Sequence, residues 1–264
     1  MKKCFVLLSA LLVLTSCDFD RIRLSGQLVS KDFAIEGTYT KLDVSSAFKV
    51  TVCDTVSQIT VTTDEVIMPK VEVIKQGDEL SIRLKPRFVS INLRAKMEVI
   101  LPYNPDLTEV ELSGASSIHS SFPLKGQLVE IDLSGASDYY GDIEADKVEI
   151  DLSGASNYFG DIKAGKVEMD LSGAADYEGN VTAADLELDV SGASKIIRKE
   201  AENRYTVCCN RCEGSVSGAS SVFIHCDGAI CVDISGASNL HYTGNADTSG
   251  SDTSGASNLV HDVL

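Results

Sequence analysis

Apolar and polar residues alternate in short runs along this chain, and from about residue 106 the runs recur. Each leads into a Ser-Gly-Ala triplet, with glycines at Gly114, Gly135, Gly154, Gly173, Gly192, Gly218, Gly236 and Gly255, spaced 21, 19, 19, 19, 26, 18 and 19 residues apart. Counting back from each glycine, positions −6, −4 and −2 are apolar in most copies: Val129, Ile131, Leu133; Val148, Ile150, Leu152; Val167, Met169, Leu171; Leu186, Leu188, Val190. A period of two with polar residues between is the pattern of a half-buried strand. Beyond the triplet comes another apolar position, at Tyr139, Tyr158, Tyr177, Ile196, Val222 and Leu240. In several copies a Gly-Asp or Gly-Asn pair then precedes a further strand-like residue such as Ile143, Ile162 or Val181. Each repeat thus predicts two or three short strands and two turns.

A 19-residue unit of this kind cannot cover its own apolar face, so it has to stack on its neighbours. The expected fold is all-β, a parallel β-helix solenoid of about 19 residues per coil. Rungs about 4.8 Å apart would make a rod of roughly 35 to 40 Å. Helical repeats of similar period are excluded, because no i, i+3, i+4 apolar spacing persists. A left-handed hexapeptide helix would keep to multiples of six, so right-handed coiling is expected. Gly in the triplet permits a turn with positive φ, and Ala and Ser leave no bulk between rungs.

Residues 33–105 lack the triplet but stay strand-like, at Leu42-Asp43-Val44, Phe48 to Val52, Gln58 to Thr62 and Leu80 to Leu84. They are read as an N-terminal β cap or first coils, ahead of the repeat β-helix at 106–264. Residues 1–16 read as a secretory leader: Met1-Lys2-Lys3, an apolar stretch to Leu14, then Thr15-Ser16. The stretch is too short to span a bilayer, which takes roughly 20 apolar residues. Leu14-Thr15-Ser16-Cys17 resembles a lipobox, which makes Cys17 the expected lipidation site and residues 17–32 an anchor and tether.

With no Trp and 6% aromatic residues, the chain lacks the bulk of a conventional compact core, and its net charge of −16 disfavours nucleic acid and bare anionic lipid as partners. Together these features resemble the head-GIN-domain auto-transporter adhesin family, exported lipoproteins of Bacteroidota with many Ser-Gly-Ala or Ser-Gly-Ser turns. The resemblance covers about residues 34–264, and Leu42-Asp43-Val44 and Phe48 to Val52 resemble that family's N-terminal strands. It implies the β-helix fold and a surface role. It supplies no catalytic residues.

On the outward positions stand two carboxylate columns. At −5 lie Glu109, Glu130, Glu149, Glu168, Glu187 and Glu213, and at −3 lie Glu111, Asp132, Asp151, Asp170, Asp189, Asp233 and Asp252. Two readings fit this ladder: a face for Ca²⁺ or a cationic ligand, since carboxylate oxygens suit calcium, or a solvated face that keeps the rod soluble. No cofactor is expected, with Ca²⁺ the one candidate for this face. A second column, Tyr139, Tyr140, Tyr158, Phe159 and Tyr177, either fills the coil or faces a glycan, with Tyr140 and Phe159 the exposed candidates.

Cys53, Cys208, Cys209, Cys212, Cys226 and Cys231 remain beyond the leader and anchor. Cys209-Asn210-Arg211-Cys212 has Cys-x-x-Cys spacing, open to zinc, to a disulfide or to buried thiols. Cys208 and Cys226 each lie ten residues before their glycine, which predicts neighbouring rungs. His119, His225, His241 and His261 are read as forming no column. The one break in the repeat is at residues 195–212, where Lys195, Arg198, Lys199, Arg204 and Arg211 interrupt the acidic rod. The expected function is therefore that of a non-catalytic envelope lipoprotein at the outer membrane or cell surface, an adhesin or ligand-binding scaffold whose partner is a glycan or an envelope or host protein. The alternative is a glycan-active β-helix enzyme, which would need one irregular rung with clustered carboxylates.

Overall fold

The computed structural model describes residues 23–85, 95–197 and 207–263. The leader and Cys17 lie outside them, as do Arg198, Lys199 and Arg204. Among the described residues the chain is all-β, with 23 strands and one 3-10 turn at Met68–Lys70. The N-terminal part holds β1 (Leu28–Phe33), β2 (Lys41–Val44), β3 (Lys49–Cys53), β4 (Ile59–Asp64), β5 (Val71–Gln76), β6 (Glu79–Leu84), β7 (Met97–Pro102), β8 (Glu109–Leu112) and β9 (Ser117–His119). Then a long and a short strand alternate: β10 (Leu124–Leu133) and β11 (Asp138–Tyr140), β12 (Ile143–Leu152) and β13 (Asn157–Phe159), β14 (Ile162–Leu171) and β15 (Asp176–Glu178). The pattern loosens through β16 (Val181–Thr182), β17 (Asp185–Val190), β18 (Lys195–Ile197), β19 (Val207–Val216), β20 (Ser221–Ile234), β21 (Asn239–Thr243), β22 (Asp252–Thr253) and β23 (Asn258–His261).

Equivalent strands of successive repeats pair in parallel, residue over residue. β10 lies on β12, β12 on β14, and β14 on β17, so Val129, Val148, Val167 and Leu186 form one apolar column, and Leu133, Leu152, Leu171 and Val190 another. All of these are buried, at roughly 1.5–3 kcal/mol gained per side chain. The short strands stack Tyr139, Tyr158 and Tyr177, with ring centroids 5.2 and 5.4 Å apart. Tyr158 Oη donates to the Gly141 carbonyl at 2.8 Å and Tyr177 Oη to Gly160 at 3.0 Å. These tyrosines are core; the hydroxyls of Tyr158 and Tyr177 are satisfied by the second turn of the preceding rung, whereas the buried Tyr139 hydroxyl has no partner among the described residues.

The triplet glycines all have positive φ, from 65° to 80°. Stacking adds a second demand on them. The Ala174 N–H donates to the Gly154 carbonyl at 2.8 Å, and a Cβ placed on Gly173 would sit 2.5 Å from that same oxygen. The serine after the triplet points inward and is closed off locally: Ser156 Oγ donates to the Ser153 carbonyl at 2.9 Å and Ser137 Oγ to Ser134 at 2.8 Å.

The stack does not start at residue 106. β8 lies in parallel on β2 and β9 on β3, and these in turn pair in parallel with β6 and β7. Between β2 and β3, Ser45-Ser46-Ala47 underlies Ser113-Gly114-Ala115. The Ser113 N–H reaches the Val44 carbonyl at 3.0 Å and the Ser117 N–H reaches Phe48 at 2.9 Å. Ser46 takes the glycine's place at φ 72°. A turn of the repeat kind therefore exists inside the region where the sequence shows no triplet. Beyond β6 and β7 the pairing becomes antiparallel, β7 with β4, β4 with β1, and β6 with β5, which covers the edge that a stack of parallel strands would otherwise leave open.

Candidate functional site

The period-two pattern of β10, β12, β14 and β17 turns their odd-phase residues outward, and the parallel register aligns these across rungs. Glu109, Glu130, Glu149, Glu168, Glu187 and Glu213 form one continuous column. Glu111, Asp132, Asp151, Asp170 and Asp189 form the second, two residues further along each strand, and Ser215 then intervenes before Asp233 and Asp252. Between the columns runs a groove of about 380 Å³ lined by both sets of carboxylates and by Ile131, Ile150 and Met169.

The two columns differ in their electrostatics. Lys147 bridges Glu149 at 2.6 Å and Glu168 at 2.9 Å, and Lys166 bridges Glu168 and, at 2.9 Å, Glu187. Lys41 heads the column on Glu109 at 2.6 Å, with Glu111 at 3.3 Å, and Arg211 ends it between Asp185 at 2.8 Å and Glu213 at 3.6 Å. The two lysines hold the Glu168 carboxyl below the usual range. Lys147, Lys166 and Arg211 stand seven residues before their glycines, a spacing present in the sequence, while Lys41 lies in register with Glu109 itself.

Asp132, Asp151 and Asp170 take no hydrogen bond and no ion pair among the described residues. The column is partnered at its two ends, where Glu111 meets Lys41 at 3.3 Å and Asp189 accepts from Ser215 Oγ at 2.7 Å. Partial burial, with Asp151 and Glu111 nearby, pushes the Asp132 carboxyl up; partial burial, with Asp151 and Asp189 nearby, does the same for Asp170. Glu130, which no lysine bridges among the described residues, is raised by burial and by Glu109 and Glu149. One rung of spacing between unit charges costs roughly 1 kcal/mol even at the dielectric of water. Among the described residues no group of three or more His, Cys, Asp or Glu converges on a metal position, because parallel stacking sets successive carboxylates about 4.8 Å apart.

Tyr140 and Phe159 are half-buried and belong to a stacked outer column with His119, at 4.2 Å for His119 on Tyr140 and 4.7 Å for Tyr140 on Phe159. Their planes lie 14° and 9° apart, so the rings cover one another's faces and present edges to solvent. The register also corrects the reading of the histidines. His119 and His241 occupy the same outward phase, His241 stacking on Phe223 at 4.9 Å.

The cysteines need a second correction. β19 and β20 pair Cys209 with Cys226, and Cys208 with His225, with a register shift between Cys209 and Arg211. Cys208 and Cys226 are therefore not the stacked pair that the distance to the glycine predicts, because the irregularity moves the register by one residue. Cys231 falls outward, beside Glu213 in the glutamate column.

Parallel rungs carrying a regular acidic face define a class: an all-β repeat protein that offers a long, uniform surface. Residues 38–205 match the family described as "Putative auto-transporter adhesin, head GIN domain", and the chain belongs to that family. It is similar in fold to a crystal structure described as a "putative adhesin" from Parabacteroides merdae, with TM-score 0.77 and 19% identity, covering 92% of this chain and 100% of that one. A second "putative adhesin", from Parabacteroides distasonis, gives TM-score 0.73 and 19% identity with the same coverage. A "putative lipid binding protein" from Parabacteroides distasonis gives 0.72 and 17%, again over 92% of this chain and 100% of that one. No curated protein matches the chain.

Proposed function

We propose that this chain is an exported lipoprotein, held at the outer membrane or cell surface through Cys17, whose rungs coil into a right-handed parallel β-helix. It works without catalysis, as an adhesin whose carboxylate face engages a partner protein surface rich in Lys or Arg. The observation that carries this reading is the uncompensated column Asp132, Asp151 and Asp170, beside a glutamate column that the chain bridges with its own lysines. Charges left unpaired and partly desolvated are repaid when a complementary surface arrives, and a face of one sign steers that arrival. The aspartates repeat alike from rung to rung, which suits adhesion spread over many equivalent contacts. Catalysis would call for one irregular rung.

Attachment of the full chain to a surface coated with Lys-rich peptide tests this, read at several salt concentrations. The triple change Asp132→Asn, Asp151→Asn, Asp170→Asn is expected to reduce attachment at least tenfold. Removing three exposed charges elsewhere, Glu65→Gln, Asp106→Asn and Asp146→Asn, is expected to change it less than twofold. Equal losses from both triples would reduce the effect to net charge and sink the proposal. So would a glycan array bound equally by the wild type and the aspartate triple, or a calcium-dependent rise in melting temperature without which no attachment occurs.

A further inference from the structure

We infer that Cys209 and Cys226 are a disulfide site joining two adjacent rungs through the core. Cys209, Cys212 and Cys226 are all buried, on the inward sides of β19 and β20. Ordinary alternation would turn Cys209 and Cys212, three residues apart, to opposite faces. The irregularity at this point leaves both Asn210 and Arg211 exposed and returns Cys212 to the inside. The Cys209 thiol lies against β20, donating to the His225 carbonyl at 3.8 Å.

Backbone geometry chooses between the two partners. Cys209 and Cys226 are Cα partners on neighbouring parallel strands, a separation of about 4.8 Å, inside the roughly 4.4–6.8 Å window that a disulfide spans. Cys212 is three residues further along the same strand, about 10 Å at the usual rise of roughly 3.3 Å per residue, and its own cross-strand partner is Ile230. Cys208 faces outward across from His225. Among the described cysteines, Cys209 with Cys226 is therefore the pair that register and inward direction both favour.

Contact with Cys212 and burial hold the Cys209 thiol above its usual range, and contact with Cys209 and burial do the same for Cys226. A buried protonated thiol is a poor nucleophile, so the bond forms while the two strands are still assembling. Each thiol gives up a proton and an electron and the S–S bond closes. The two electrons pass to a disulfide oxidant, glutathione disulfide or the disulfide of an oxidoreductase, whose own S–S bond opens to two thiols. Cys212 stays a thiol.

The test refolds the full chain, carrying Cys208→Ser, from reductant and denaturant into a mixture of reduced and oxidised glutathione, then alkylates free thiols. Cleavage after Arg211, Glu213 and Asp227 separates Cys209, Cys212, Cys226 and Cys231 into different peptides, which mass spectrometry reads. The expected result is a linked Cys209–Cys226 peptide with Cys212 and Cys231 alkylated. Alkylated Cys209 and Cys226, or a link from either to another cysteine, would overturn the site. In the wild type, reductant is expected to lower the melting temperature by roughly 6–12 °C, and in Cys209→Ala/Cys226→Ala to leave it unchanged; a wild type indifferent to reductant would also overturn it. The chain purified from bacterial envelopes should carry the same link. If it is reduced there while the refolded chain is linked, the pairing stands and the envelope location falls.

Discussion

At the turns, Gly154, Gly173 and Gly192 recur because each rung's backbone leaves no alternative. φ is positive at all three, and the space a Cβ would fill on Gly173 or Gly192 holds the carbonyl oxygen of the rung below. On the sheet face a few residues away, Asp132, Asp151 and Asp170 recur with the same period, yet nothing in the stack calls for them. Among the described residues they bond to nothing, and they repel one another. Sameness at the turn is thus a condition of folding, whereas sameness along the aspartate column is tolerated at some cost. The glutamate column lies between these cases, since Lys147 and Lys166 turn its charge into cross-links. A property that stacking demands says little about function, and one that works against stacking says more.

The sharpest way to break this comparison is at the turn. Gly173→Ala forces a left-handed residue to carry a Cβ against a carbonyl 2.5 Å away and should cost about 2–4 kcal/mol in denaturant unfolding. A loss below 1 kcal/mol would mean that the turn is not held by stacking. The converse change, Ser46→Gly, relieves a positive-φ serine in the N-terminal turn and should raise stability by about 1 kcal/mol, which the same titration would read. On the face, Lys147→Met with Lys166→Met should lower the melting temperature modestly at low salt, with the difference shrinking as ionic strength passes about 0.15 M. The mirror change, Asp132→Asn with Asp170→Asn, should leave stability unchanged or slightly raised at pH 7.

The smallest effect is in pH. The folded state raises the carboxyls of Asp132, Asp170 and Glu130 above their ordinary 3.8 and 4.5, so it takes up protons more readily than the unfolded chain. Stability should rise as pH falls from 7 into the range just above those values. Glu168 and Glu144 are lowered from 4.5 by their lysines, so their contribution is present above that value and lost as pH falls through their lowered ones. Melting temperature followed from pH 7 downward should therefore pass through a shallow maximum. The Asp132→Asn, Asp170→Asn protein should lose most of the rise and keep the fall.

Much of this was legible in the chain. The alternation at −6, −4 and −2 located the strands and their buried faces, the glycine spacing located the turns, and the two outward columns fell where counting placed them. The Ser46 turn carries no glycine to mark it, although Leu42 and Val44 precede Ser45-Ser46-Ala47 with the same alternation. The cations at −7 are harder to read, because that position is cationic in only some repeats, at Lys147, Lys166 and Arg211, and acidic at Asp185. The cysteine pairing is hidden by register, since counting from a glycine cannot see a shift of one residue within a strand, whereas the shared phase of His119 and His241, each five residues after its glycine, is open to that same count.

By itself the sequence determined the period, the inward and outward sides of each strand, and the residue kinds that must sit at the turns. These follow from local backbone geometry and a two-residue alternation. Only the tertiary structure decided which side chains meet. Neighbours in a column lie one rung apart in space, about 4.8 Å, but 17 residues apart in the chain for Cys209 and Cys226 and 19 for Lys147 and Lys166. A single bulge therefore changes every partner beyond it and leaves the pattern of apolar positions almost untouched.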